Sequence, residues 1–423
     1  MPASKRIHSA PLPRCSEAGI AAGGSGGRFL LYSHDGLGLG HTRRNLAIAR
    51  ALVTLAPEAT VLVATGADEI NRYGVPPQVE VLKLPSLRKL ANNHYDSRYL
   101  RVSAEKILRI RASLLRAAVE SFQPQVLLTD KHPLGVGGEL VPALAAHRRH
   151  GGRTALGLRD ILDEPEVVIA DWQAHRLQGA IERHYDEVMI YGQPEIFDAV
   201  GEYRFSRALA KISHYCGYVS NVASASVRPR TGKSALVLAT PGGGEDGYAL
   251  VANFITAARR APWKGWAITG PMMPELQQQE LRQLGGGQDI QIDTFLPNLA
   301  RELADISSVV CMGGYNTLTE VAALGLRAVC VPRHQPRREQ LIRARAFAQL
   351  GLLRMINPDD LTPERLRSAI DESLRTVPSS SASACLRLDG AGEAARRLLQ
   401  LAGQAADIVP ESHPSPVQFS ALP

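Results

Sequence analysis

The chain has 423 residues, of which 45% are hydrophobic and 21% charged, with a formal net charge of +7 at pH 7. That length exceeds one core and predicts two domains, and no run of about 18 apolar residues marks a transmembrane helix. The five cysteines form no C-x-x-C pair, so neither a zinc site nor a disulfide framework is expected, and a reducing cytoplasm is. Nucleic acid is not the expected partner: only 8 of the 48 basic residues are lysine, aromatics are 5%, and no nucleic-acid motif stands out.

Residues 1–27 begin with a basic cluster but lack an apolar signal core, and read as a disordered leader. Strands are then predicted at Arg28–Ser33, Thr60–Thr65, Val79–Leu84, Gln125–Asp130, Arg153–Leu158 and Glu187–Gly192, with helix-period stretches between most of them. This alternation predicts a parallel sheet covered by helices over residues 28–219. Residues 220–234 are rich in Ser, Pro and Gly and read as a linker. A second series follows over 235–376, with strands at Ala235–Thr240, Gly265–Gly270, Asp289–Asp293, Ser307–Met312 and Arg327–Pro332. The expected fold class is therefore α/β, two doubly wound domains facing across a cleft. Ligands of such sheets sit beyond the carboxyl ends of the strands. A helical segment over 377–405 is expected to cover one domain, and residues 406–423 to be an unstructured tail.

Three stretches carry most of the chemistry, and three further features weigh less. In "SHDGLGLGHTRRN", Gly36, Gly38 and Gly40 follow a strand and His41 enters a helix. The spacing differs from a dinucleotide G-x-G-x-x-G. An imidazole near the positive end of a helix favours its neutral, base-competent form. A tight turn with His41 bonded locally is the other reading. In "CMGGYNTLTE", Gly313 and Gly314 end a strand and a helix starts near Asn316 or Thr317, so free amides there suit phosphate oxygens. Glu320 lies on the same helix face as Thr317 and suits two ribose hydroxyls; a solvated carboxylate on a capped helix is the alternative. Gln340 opens the next helix and is expected to face the same cleft. Gly242, Gly243 and Gly244 form a third loop, which could approach a phosphate although Glu245 and Asp246 oppose it by charge. Asp130, Lys131 and His132 end a strand on the expected acceptor side, and Arg159, Asp160 and Asp163 either do the same or form surface salt bridges. Nine basic residues between Lys83 and Arg116 suit an anionic lipid surface or a lipid-linked acceptor; a solvated helix face is the plainer reading.

Over roughly Arg28 to Arg375 the chain resembles the GT-B glycosyltransferases of family 28, closest to a subgroup of bacterial predicted glycosyltransferases. The resemblance rests on Gly40-His41 in the first domain and on "TFLPNLARELADISSVVCMGGYNTLTE" (Thr294–Glu320) in the second. "GLRAVCVP" and "RREQLIRARAF" follow, with Arg327 where the family has proline. The resemblance implies that the backbone of Phe295 and Leu296 reads a uracil edge and that Glu320 holds the ribose. Gly313, Gly314 and Thr317, with the Gly243-Gly244 loop, would meet the diphosphate, and Gln340 the donor sugar. The expected activity is inverting, metal-independent transfer of a hexose or amino sugar from a nucleoside diphosphate (UDP first) to an acceptor hydroxyl. Residues 235–376 would bind the donor. His41 would be the base, Asp35 the reserve base or orienting group, and Gly38, Gly40, Asp130 and His132 the acceptor side. No cofactor beyond the donor is expected. A nucleotide-sugar 2-epimerase, a non-catalytic nucleotide-sugar-binding module and, less well matched by the glycine spacing, an NAD-dependent oxidoreductase are the rivals. The protein is expected in the cytoplasm, with peripheral contact at the inner membrane face as an option.

Overall fold

The computed structural model describes residues 26–34, 39–68, 70, 74–91, 94–222, 235–286, 290–296, 303–376 and 385–405. Asp35 and Gly38, the leader up to residue 25, most of the expected linker and the tail lie outside the described residues. The first domain runs β1 (Arg28–Ser33), α1 (Leu39–Leu55), β2 (Thr60–Thr65), β3 (Val79–Lys83), β4 (Leu87–Ala91), β5 (His94–Ser97), α2 (Ala104–Phe122), β6 (Val126–Asp130), α3 (Val141–Arg149) and β7 (Arg153–Arg159). It continues through α4 (Pro165–Ala174), α5 (Leu177–His184), β8 (Glu187–Tyr191), α6 (Ala199–Glu202), α7 (Arg207–Lys211) and β9 (Ser213–Tyr215). Seven strands form one sheet in the order β3-β2-β1-β6-β7-β8-β9, every pairing parallel. β6 and β8 are buried at every residue, as strands covered on both faces must be.

The second domain comprises β10 (Leu236–Thr240), α8 (Tyr248–Ala258), β11 (Lys264–Ile268), α9 (Glu275–Gly285), β12 (Ile290–Asp293), β13 (Ser308–Cys311), α10 (Tyr315–Ala323), β14 (Arg327–Cys330), α11 (Glu339–Gln349), β15 (Arg354–Met355) and α12 (Pro363–Arg375). Its sheet is also parallel, in the order β12-β11-β10-β13-β14-β15. In both sheets the strand order reverses beside the first strand of the domain, which opens a crevice at its carboxyl end. The last described helix, α13 (Gly390–Gly403), crosses back and packs on α1 of the first domain. Arg397 there pairs with Glu187, and Arg153 Nε donates to Gln404 O at 3.3 Å.

The basic stretch from Lys83 to Arg116 is not a single helix face. Its first part is the antiparallel β4–β5 hairpin, and only α2 is helical, started by Ser103, whose side chain accepts from Lys106 N. Ile107, Arg111, Leu115 and Val119 form the buried stripe of α2 at four-residue spacing. Arg111 is thus a core residue, paired with Glu139 at 2.8 Å beneath Tyr32. Arg88, Arg109 and Arg116 hold surface ion pairs with Asp96, Glu105 and Glu120.

Between the domains the decisive contact is buried. Arg343 of α11 donates from Nε and Nη2 to Asp160 at 2.8 and 2.7 Å, and from Nη1 to Gly313 O at 3.1 Å. Both side chains are essentially inaccessible, 0% and 1% exposed. Tyr315 lies between two guanidiniums, 5.4 Å from Arg44 and 5.6 Å from Arg343, distances at which cations favour an aromatic face. Its hydroxyl accepts from Val219 N at 2.8 Å. Removing one member of such a pair strands the other charge, whereas replacing both with apolar groups does not. Asp160→Ala is expected to cost about 3–5 kcal/mol, read as a lowered denaturant midpoint. The double variant Asp160→Leu/Arg343→Met should recover most of that loss.

Candidate functional site

The facing carboxyl ends enclose a cavity of about 290 Å³, near the lower bound for small-molecule sites. The first domain contributes Gly40, His41, Arg43, Arg44 and Arg159 to its wall. The second contributes Thr240 to Gly243, Phe295 and Leu296, Gly314 to Thr317, and Gln340. The predicted residues Gly40, His41, Gly243, Phe295, Leu296, Gly314, Thr317 and Gln340 therefore meet in one place.

His41 occupies the first turn of α1, and its Nδ1 lies 3.1 Å from Asp130 Oδ1 and 2.6 Å from Arg44 Nη2. Arg44 itself grips Asp130, with Nη2 at 2.8 Å from Oδ2 and Nε at 3.2 Å. Asp130 ends β6, is fully buried, and stands behind His41 rather than in the cavity wall. His132 also stands outside the wall, packed edge-on to His34 at 4.3 Å, and His34 lies 5.0 Å from His41. Burial first, then the charges of Arg44, Lys131 and Arg159, push the His41 imidazole well below its ordinary value. The neutral form expected from a helix start is present here, with desolvation as its main cause.

The turn before α10 has the geometry that anion binding requires. Gly314 is the N-cap and supplies no side chain, and the first intrahelical bond runs from Leu318 N to Gly314 O at 3.0 Å. The amides of Tyr315, Asn316 and Thr317 precede it and point out of the helix start. Gly313 sits behind them at φ +80°, where an added Cβ would meet Cys330 Sγ at 3.1 Å and Gln340 O at 3.2 Å. Gly313 thus shapes the turn without lining the cavity. Gly244 is likewise structural: at φ +97° it lies against the backbone of Thr269 and Gly270, leaving Gly242 and Gly243 at the wall.

Glu320, one turn into α10, is 1% exposed and paired with Arg43 of the facing domain. It points across the interdomain gap to Arg43 and does not line the cavity. Burial raises the Glu320 carboxyl, and Arg43 opposes that rise. Sequence reasoning missed Arg44 and Arg343. Arg44 was within reach of the pattern, because i and i+3 share a helix face and place it beside His41. Arg343 gave no such signal, its partner Asp160 being 183 residues away. Among the described residues no group of His, Cys, Asp and Glu could hold a metal ion, and no helix is long and apolar enough to cross a membrane.

The profile of the glycosyltransferase family 28 C-terminal domain matches residues 258–395. A curated relative is the UDP-N-acetylglucosamine--N-acetylmuramyl-(pentapeptide) pyrophosphoryl-undecaprenol N-acetylglucosamine transferase of Haemophilus influenzae (strain PittEE), 33% identical over 99 residues. That match covers 23% of this chain and 28% of the relative, so the chain spans little more than a quarter of the length of that protein. Among solved structures, the glycotransferase of kitacinnamycin aligns with TM-score 0.61 and 17% identity over 90% of this chain and all of that one. Acinetobacter baumannii MurG aligns with TM-score 0.57 and 17% identity, covering 88% of this chain and 99% of its own.

Two outcomes test the site geometry. Gly313→Ala, forced to positive φ against Cys330, should lose about 1–2 kcal/mol of stability in thermal denaturation. The His41 ring resonance, assigned by its absence in His41→Gln, should titrate below pH 6.5. Because the unfolded chain takes up that proton near pH 6.5 and the folded one does not, this group costs stability as pH falls through 6.5 and costs nothing well above it. The paired parallel sheets share the GT-B fold of these glycosyltransferase structures, and residues 258–395 match the C-terminal domain of glycosyltransferase family 28.

Proposed function

We propose that the chain transfers a hexose or amino sugar from a nucleoside diphosphate, UDP first, to an acceptor hydroxyl, with inversion and without a metal. The observation that carries this reading is one cavity in which the open amides of α10 face a neutral His41 from the other domain. His41 Nδ1 is shared between Asp130 and the Arg44 guanidinium, which can only donate. The base role requires the tautomer in which Nδ1–H goes to Asp130, Arg44 turns wholly to that carboxylate, and Nε2 keeps the lone pair. The acceptor oxygen would attack the anomeric carbon while His41 takes its proton. The bond from that carbon to the diphosphate breaks, and its electron pair leaves with the phosphate oxygen. Helix-start amides stabilise the charge that develops there. Phe295 and Leu296, at the wall of the second domain, suit the base edge, and Gln340 the sugar. Glu320 would take the ribose hydroxyls in exchange for Arg43.

Thermal-shift measurements with UDP, dTDP, GDP, ADP and their sugars test the donor half without an acceptor. A rise in midpoint with UDP and none with ADP is the expected pattern. His41→Ala should lower turnover at least about 10²-fold while UDP affinity stays unchanged; undiminished turnover removes the base role. Incubation with UDP-GlcNAc alone separates the rivals, since a 2-epimerase releases UDP and a free sugar derivative without any acceptor. Uptake of UDP with no turnover under any acceptor would mark a binding module.

Peripheral membrane contact belongs to the same proposal. Tyr99 and Leu100, 64% and 52% exposed after the β4–β5 hairpin, are its support. Co-sedimentation with anionic vesicles should fall in Tyr99→Ser/Leu100→Ser; equal binding would move the contact elsewhere.

A further inference from the structure

The charges around the cavity are matched with one exception. Arg43 faces Glu320, Arg44 faces Asp130, and Arg343 faces Asp160. Arg159, the last residue of β7, lines the same cavity and has no carboxylate within 4.0 Å among the described residues. Its Nε is buried and makes no hydrogen bond there. Burial, then the nearby Arg44 and Arg343 charges, lower it to about 10, so it is still a cation at neutral pH. A half-buried cation with no carboxylate in contact is costly, and this one lines the cleft.

The carboxylates that act on it, Glu339 and Asp160, stand outside the cavity wall and short of ion-pair contact. No Asp or Glu is among the lining residues, while Arg43, Arg44 and Arg159 all are. The same cavity is lined from the other domain by Tyr315 to Thr317 and by Gly242 and Gly243. A guanidinium and a set of amides converging on one space fit an anion with several oxygens, and guanidinium binds phosphate in bidentate fashion.

We propose that Arg159 is the counter-cation of the diphosphate leaving group, reaching from the acceptor-side domain to the phosphate that α10 holds in the other. This rests on the glycosyl-transfer reading above. As the bond to the anomeric carbon breaks, the electron pair passes to the phosphate oxygen and the diphosphate gains one negative charge. Arg159 keeps its proton and donates hydrogen bonds to that oxygen. It thereby acts on the terminal phosphate and leaves the nucleoside untouched.

Calorimetry on the full chain with UDP and UMP tests this, using Arg159→Met and Arg159→Lys. Arg159→Met should weaken UDP at least tenfold, leave UMP within twofold, and lower kcat about 10²- to 10³-fold. Arg159→Lys, which keeps the charge, should restore part of each. Inorganic pyrophosphate should raise the melting midpoint of the wild type more than that of Arg159→Met. Unchanged UDP affinity in Arg159→Met overturns the proposal, as does an equal loss for UDP and UMP. A rise confined to the KM of the acceptor overturns it too, because Arg159 would then hold an anionic acceptor. If Arg159→Met does not fold, Arg159→Lys decides: an affinity for UDP reduced with UMP unchanged supports the role, and identical values for both reject it. Failure of the wild type to bind any nucleoside diphosphate would instead sink the underlying glycosyl-transfer reading.

Discussion

The arrangement depends on the Arg343–Asp160 pair buried between the domains. A guanidinium removed from water must satisfy its donors inside the protein, or the desolvation cost is not recovered. Arg343 does so by spending donors on Asp160, Gly313 O and Ile161 O at once. Those acceptors belong to the loop after β7 and to the turn before α10. One side chain therefore sets the distance between the first-domain wall and the turn before α10. Tyr315, held under Arg343 and Arg44, extends the same clamp to α1 and hence to His41.

Charge balance then explains the remaining geometry. Arg44 grips Asp130 beside the imidazole, and burial with the surrounding cations holds His41 well below its ordinary value. Glu320 is kept by Arg43 in a place too dry for a lone carboxylate. The cleft is thus built from short cation–carboxylate contacts whose members come from opposite domains in two of three cases. Such contacts hold the walls together while leaving the amides of α10 open.

Much of the fold was legible because its strands are uninterrupted β-branched and leucine-rich runs. Thr60–Thr65 and Arg28–Ser33 form strands over the very residues anticipated. What escaped notice was short or locally polar: the β4–β5 hairpin in a basic stretch, three-residue β9, and two-residue β15. Propensity is weak over such lengths, and neighbouring strands decide pairing. Within the site, residues that meet the cavity through backbone or helix position were readable, as with His41, Gly314 and Thr317. Glu320 and Gly244 were placed in the wall by spacing and lie behind it, because burial and an opposite-domain cation are properties of tertiary packing. Asp160 read as surface or wall, and its partner on α11 could not be known from either neighbourhood.

The main chain passes between the domains twice, after Val219 and again before Asp389, and these two residues form an antiparallel bridge. Tyr218 N donates to Arg387 O at 2.7 Å, and Gly390 N to Tyr218 O at 3.1 Å. The two crossings are therefore joined to each other by main-chain hydrogen bonds at the edge of the first domain. The place where the chain leaves the first domain is thus pinned to the place where it returns, and helix α13 is delivered onto α1 from that shared point.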